Sequence, residues 1–289
     1  MSRFELVCPV ACRLGECPVW LADVAELAFV DVAGRRLHRF SPSSGTLASV
    51  EIEEDIGFVA PARTGGFVAG LRTGIWLLAQ NGCKRRLLAH NPGDAHTMRF
   101  NDGGIDSRGR LLIGTIDESR RHGRAGLYRL DVSGLTPVAC GLMTSNGVAF
   151  APDGRTLYHS DTPRFVIYGC DYRPESGEVG RRRVFARLDP EAADRGRPDG
   201  AAVDQAGDYW CALYEGSRVN RYDAGGNLVA EYPLPVRSPT MPAFGDDDLR
   251  TLYVTTAQAA DGSGGGLYAM RVATPGLAHQ PFEDEGYQS

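Results

Sequence analysis

Gly104-Ile-Asp-Ser-Arg-Gly-Arg-Leu-Leu-Ile-Gly114 is a pair of short apolar runs hinged on a polar turn. The same design returns as Val148-Ala-Phe-Ala-Pro-Asp-Gly-Arg-Thr-Leu-Tyr158 and as Ala202-Val-Asp-Gln-Ala-Gly-Asp-Tyr-Trp210. Weaker copies run from Pro18 to Val30, Val59 to Gly70 and Ala243 to Val254. Taking Phe29, Ala69, Gly114, Ser160, Ala212 and Thr255 as equivalent points, six copies follow one another at intervals of 40, 45, 46, 52 and 43 residues. Each copy is followed by a third strand-like run, such as Arg36–Phe40, Gly74–Leu78, Gly126–Leu130, Val166–Gly169, Arg218–Tyr222 or Gly266–Met270. A fourth often closes the unit, as in Arg182–Ala186 and Asn227–Tyr232. Four antiparallel strands per unit at this spacing is the signature of a propeller blade, and six units close a ring.

The reading is therefore all-β: a six-bladed β-propeller forming one domain over residues 1–289. A pair of β-sandwiches explains the six-fold period badly. Closure requires the outer edge of the last blade to be covered, because an open sheet edge is a liability. Phe4-Glu-Leu-Val7 precedes the first full blade and is the expected closing strand.

Composition agrees. Glycine supplies 36 of 289 residues, about 12% against an average near 7%, and these glycines recur at turns rather than in one low-complexity block. The formal net charge of −5 argues against nucleic acid or an anionic membrane surface as the main partner. No apolar run approaches the roughly 20 residues that span a bilayer. The N-terminal stretch shows no secretory h-region, so a soluble, cytoplasmic protein is expected. Seven cysteines without a C-x-x-C pair read as buried small hydrophobes rather than disulfides or a zinc site, and Cys8, Cys12 and Cys17 match no zinc spacing.

The repeat also works as a ruler. Counting eight residues back from the turn of each copy lands on one structural position, occupied by Glu16, Asn101, Asn146 and Asp199 and, to within one residue, by Gly57 and Thr240. All are expected just before the innermost strands, at one end of the axial channel. Asn146-Gly147 and Asp199-Gly200 taken singly are ordinary turn dipeptides. Two carboxylates and two carboxamides in one register are different. Facing one axis, the anions repel unless a cation sits between them. Glu16, Asp199 and an amide oxygen are hard donors of total charge −2, matching one divalent ion. Calcium, magnesium or manganese fit best, calcium foremost; zinc and ferrous iron are also compatible. The six histidines match no metal spacing, and G-x-S-x-G, H-E-x-x-H and P-loop motifs are missing.

At these residues the chain resembles the regucalcin/gluconolactonase family, the lactonase-like six-bladed propellers. The matching words are Leu14-Gly-Glu-Cys-Pro-Val-Trp20, Arg99-Phe-Asn-Asp-Gly103, Gly114-Thr115, Ser145-Asn-Gly147 and Arg197-Pro-Asp-Gly200, spread over about residues 5–273. The resemblance implies Glu16, Asn146 and Asp199 as metal ligands. It implies Arg99 and Asn101 as substrate contacts and Asp199 as the acid–base residue. Glu118, in Asp117-Glu-Ser119, stands near the family's acidic contact to substrate hydroxyls, displaced by one position. Cys17 replaces a usually small residue beside a ligand, and a packed thiol is expected there.

The implied reaction is hydrolysis of a sugar lactone, an aldonolactone, to its open-chain acid. The cation would polarise the ester carbonyl, with Asp199 as base or as proton shuttle for a water activated at the cation. Arg99 has an alternative role in a salt bridge to Asp102 or Asp106. Two other functions fit the same scaffold: a related propeller esterase acting on organophosphates, and a non-catalytic calcium-binding propeller. Inward carboxylates count against a plain scaffold.

Overall fold

The computed structural model describes residues 3–287. It contains six antiparallel sheets of four strands each, arranged as a six-bladed β-propeller. Blade 1 is β2 (Gly15–Leu21), β3 (Glu26–Asp31), β4 (Arg36–Ser41) and β5 (Thr46–Glu51). Blade 2 is β6 (Ile56–Pro61), β7 (Phe67–Leu71), β8 (Gly74–Leu78) and β9 (Lys84–His90). Blade 3 is β10 (Met98–Ile105), β11 (Leu111–Asp117), β12 (Ala125–Asp131) and β13 (Gly134–Leu142). Blade 4 is β14 (Ser145–Phe150), β15 (Thr156–Asp161), β16 (Val166–Arg173) and β17 (Glu178–Arg187). Blade 5 is β18 (Arg197–Val203), β19 (Tyr209–Tyr214), β20 (Arg218–Tyr222) and β21 (Leu228–Pro233). Blade 6 is β22 (Pro239–Gly245), β23 (Thr251–Thr256) and β24 (Leu267–Arg271), completed on its outer edge by β1 (Glu5–Cys8). The pairing Glu5↔Ala269 and Leu6↔Tyr268 is the expected N-terminal closure. Among the described residues no helix is long and apolar enough to cross a membrane.

Burial falls from axis to rim, which explains each strand's composition. β11 and β22 are buried along their whole length, whereas β5 and β17 are mostly exposed. Apolar clusters fill the wedges between neighbouring blades: Tyr158, Phe185, Tyr209 and Tyr222 between blades 4 and 5, Trp210 and Phe244 between blades 5 and 6. The Asp-bearing turns close as hairpins with the side chain capping the backbone. Asp106 Oδ1 accepts from the Arg108 and Arg110 amides, and Asp204 Oδ1 from those of Ala206 and Asp208. All seven cysteines are free, but Cys83 and Cys140 are exposed; the expectation that they are all buried is corrected. Both lie towards the rim, where little covers a side chain.

The C-terminal segment was not read from the repeat. It crosses the ring on the side of the hairpin turns. Gln205 N donates to Pro275 O, Arg63 N to Phe282 O and Glu283 N to Gly109 O, tying blades 5, 2 and 3 together. Phe282 is almost fully buried, and Asp284 accepts from Thr64 N at 3.0 Å. Beneath this strap lies an axial void of about 300 Å³. It is walled by apolar residues of the innermost strands, among them Val19, Phe58, Val148 and Met241, and contains none of the register residues.

Candidate active site

The opposite mouth of the channel carries the polar register. Glu16, Asn101, Asn146 and Asp199 lie within the opening residues of β2, β10, β14 and β18, slightly further into the strands than the turn count suggested. Every innermost strand changes register at this point: between Glu16 and Val19, Ile56 and Phe58, Phe100 and Gly103, Asn146 and Ala149, Pro198 and Ala201, and Pro239 and Met241. A β-bulge re-aims side chains and bends the strand. Six bulges at one height therefore form a ring of re-aimed positions.

Two residues behind the bulges adopt left-handed backbone, Cys17 (φ 48°) and Gly147 (φ 60°). At Gly147 a Cβ would also overlap the hydroxyl of Tyr209, which donates to Gly147 O at 2.8 Å. Cys17 bears the cost of a side chain there. Its Sγ donates to Val59 O at 3.2 Å and burial pushes the thiol pKa well up, so it is a packed, protonated thiol. The other two register positions place no polar group on the axis. A Cβ on Gly57 would overlap Phe100 O and lie 2.9 Å from Asn101 O. Thr240 Oγ1 donates instead to Gly15 O at 2.6 Å, joining blade 6 to blade 1.

A directed hydrogen-bond chain runs across blades 3, 4 and 5. Arg99 Nη1 donates to Asn101 Oδ1 at 2.8 Å, and Asn101 Nδ2 to Asn146 Oδ1 at 2.6 Å. Asn146 Nδ2 then donates to Asp199 Oδ1 at 2.6 Å and to Thr162 Oγ1 at 2.8 Å. Thr162 donates to Pro198 O at 2.7 Å, so one hydroxyl positions both Asn146 and the strand carrying Asp199. Glu16 faces this chain from blade 1, its Oε2 accepting from Cys17 N at 3.3 Å.

The electrostatics follow from burial. Desolvation first, then the charges of Asp199 and Asp102, raise the Glu16 pKa well above the carboxylate range. Asp199 is raised by desolvation and by Asp102, against the pull of Arg197, Arg120 and Arg99. Asp102 itself is pushed up to about 7 by burial, although it accepts from Gly103 N at 2.7 Å and Val148 N at 2.9 Å. Like charges in a dry site cannot all stay ionised without a counter-ion.

Glu118 sits at the rim. Both its oxygens are held by Arg72, at 2.8 and 3.0 Å, and it lies 3.7 Å from Arg99 Nε. The alternative ion pair of Arg99 with Asp102 or Asp106 is corrected: its carboxylate is Glu118, while Asp106 pairs with Arg110 and Tyr172. Among the described residues no three His, Cys, Asp or Glu side chains cluster at metal-holding spacing. The candidate donor set has only two carboxylates from this quartet and relies on amide oxygen for the rest.

A family model described as the SMP-30/gluconolactonase/LRE-like region matches residues 14–258. The chain belongs to this family. It is 42% identical over 281 residues to a 6-deoxy-6-sulfogluconolactonase of Pseudomonas putida, covering 93% of this chain and 94% of the relative. It is 37% identical over 273 residues to a pentonolactonase of Haloferax volcanii, covering 90% and 87%. The crystal structure of a calcium-binding protein, regucalcin, from Agrobacterium tumefaciens superposes with a TM-score of 0.90 at 24% identity, covering 96% of each chain, and so shares the fold.

The register count found the four polar positions. It missed Asp102, which stands inside the Asn101-Asp-Gly word, and Thr162, which lies in the 3-10 turn Thr162–Arg164 outside any repeat word. No sequence signal marks Thr162, because its role comes from reaching across to blade 5.

Proposed function

We propose that this protein is a metal-dependent hydrolase that opens a sugar lactone, an aldonolactone, to its open-chain acid. The observation that supports this most is the meeting of Glu16 and Asp199, both with raised pKa values, beside the Asn101–Asn146 amide chain at one channel mouth. Relatives across nearly the whole chain are named as lactonases of a sulfogluconolactone and of a pentonolactone, and this supports the substrate class.

The residues present fit a divalent cation. Glu16 and Asp199 supply two charges that repel each other in the folded chain, and Asn146 supplies an amide oxygen. Glu16, Asn146 and Asp199 would hold the ion, with calcium the expected species for an all-oxygen set and magnesium, manganese, zinc or ferrous iron as alternatives. When bound, the ion supplies Lewis-acid polarisation of the lactone carbonyl and charge for the developing oxyanion.

The chain's own groups do the rest. Asp199 Oδ1 is fixed by Asn146, which leaves its other oxygen to orient a water towards the carbonyl carbon. The water forms the new C–O bond and loses a proton as the bond to the ring oxygen breaks. Asp199 carries that proton to the departing ring oxygen. Asn101 and Arg99, locked to each other at 2.8 Å, hold substrate oxygens at the mouth. Glu118 acts at the rim, orienting Arg99 through their ion pair. The test is a pH-stat assay of metal-stripped protein against a panel of aldonolactones, with cations restored singly and spontaneous opening subtracted. Activity that returns with a divalent cation supports the reading; equal activity with and without one contradicts it.

A further inference from the structure

Asn146 is turned towards its partners by the bulge that follows it. Asn146 pairs with Ser160 on β15, the register skips Gly147 and Val148, and pairing resumes between Ala149 and Tyr158. The two skipped amides need acceptors from elsewhere, because a buried backbone N–H left unpaired is costly. Blade 3 supplies them through Asp102, a buried carboxylate that the proposed reaction does not use. Asp102 Oδ2 accepts from Val148 N at 2.9 Å, and the Gly147 amide also hydrogen-bonds to this carboxylate. Its Oδ1 accepts from Gly103 N at 2.7 Å, which fixes the group to its own strand. From blade 5 the hydroxyl of Tyr209 holds Gly147 O at 2.8 Å. The peptide units that follow Asn146 are thus held from both neighbouring blades.

Blade 1 meets the same need in another way. Its bulge has the same form, between Glu16 and Val19, and Cys17 takes left-handed backbone as Gly147 does (φ 48° and 60°). The residue that matches Val148 is Pro18, which has no N–H to satisfy. In blade 2 the bulge at Gly57 aims no side chain, and there a thiol suffices: Val59 N donates to Cys17 Sγ at 3.3 Å. A carboxylate stands where a bulge has two amides to satisfy and a polar side chain of the mouth to aim.

We propose that Asp102 is a positioning residue: by holding the Gly147 and Val148 amides it fixes the bulge that turns Asn146 towards Asn101 and Asp199. This rests on the reading of Asn146 as an ion ligand and adds to it the group that aims the ligand. The test compares wild type, Asp102→Ala, Asp102→Ala/Val148→Pro and, as a control destabilised away from the mouth, Phe282→Ala. Calcium affinity is measured by calorimetric titration, and Asn146 is located in crystal structures of the first three. Losing a negative charge near the ion would weaken binding in both Asp102 variants alike. Proline separates the causes, because it removes the orphaned amide, as Pro18 does in blade 1, without restoring the charge. Asp102→Ala should bind calcium about 10- to 100-fold more weakly, with Asn146 out of hydrogen-bonding reach of Asn101. The double variant should regain about 3-fold or more of that loss and bring Asn146 back, while Phe282→Ala keeps the wild-type affinity.

Equal loss in the two Asp102 variants, the same loss in Phe282→Ala, or Asn146 in its wild-type place in Asp102→Ala overturns the inference and leaves the lactonase reading standing. If Asp102→Ala does not fold, Asp102→Asn, which keeps one acceptor oxygen, takes its place with the same outcomes. If wild type binds no divalent cation, the ion reading falls and the crystal structures decide alone. Asn146 displaced in the single variant and returned in the double one upholds the positioning role; Asn146 unmoved removes it.

Discussion

Metal-stripped protein is expected to lose stability between pH 7 and 8, and a divalent cation is expected to abolish that loss. In the cation-free fold Glu16 and Asp199 hold a proton well past the range of an unfolded carboxyl. A carboxyl whose folded pKa is raised contributes its stability fully below the unfolded value and loses it as pH rises through the folded one. Asp102 follows the same sign between 3.8 and about 7, a span worth about 4 kcal/mol and largely spent by neutrality. His38 and His159 are held low by burial and carry the opposite sign. Above pH 7 an unfolded histidine is mostly neutral too, so the Glu16–Asp199 pair dominates the interval from pH 7 to 8. The thiols of Cys12, Cys17, Cys170 and Cys211, which burial holds protonated, add a smaller contribution of the same sign. Each carboxyl still protonated when folded costs about 1.4 kcal/mol per pH unit. A chain of this length melts with an entropy of about 0.6 kcal/mol/K, so one to two such groups lower Tm by about 2–5 °C. The assay is scanning calorimetry of chelator-treated protein at pH 7.0, 7.5 and 8.0, with and without calcium, on wild type and Asp199→Asn. Calcium should raise Tm and flatten the slope, because the cation binds the ionised pair. A stripped protein whose Tm is flat or rises over this interval, or a slope untouched by Asp199→Asn, refutes the reasoning.

Three further outcomes follow. Thr162→Val should weaken calcium binding about 10- to 100-fold, measured by calorimetry, because the hydroxyl that orients Asn146 is lost. Gly57→Ala should cost about 1–3 kcal/mol or more in urea denaturation, since its Cβ would overlap backbone of Phe100, so a strand rather than a flexible side chain has to shift. Phe282→Ala should cost about 3–5 kcal/mol in the same assay, because the ring is 1% exposed and anchors the strap against blade 2.

The fold was legible because a propeller writes each blade as the same hairpin, and the turns with Asp and Gly survive as landmarks. The site was legible for a related reason: all six bulges fall at one distance from those turns, so one count reached Glu16, Asn101, Asn146 and Asp199 together. The count could not say which register positions aim at the axis. Gly57 and Thr240 occupy the same slot, yet the backbone of Phe100 forbids a side chain at one and Gly15 captures the other. Side-chain pairings were equally out of reach. Arg99 meets Glu118 rather than a carboxylate in its own word, and Asp102 turns to the Gly103 and Val148 amides. The strap from Pro275 to Glu283 belongs to no repeat, so no period announces it.

The proposed lactone hydrolysis depends on a divalent ion at this mouth, and anomalous diffraction from crystals grown in excess calcium tests that most directly. A peak about 2.3–2.6 Å from oxygens of Glu16, Asn146 and Asp199 is the expected result. A peak elsewhere, or a mouth holding none with those side chains turned towards solvent, would contradict it.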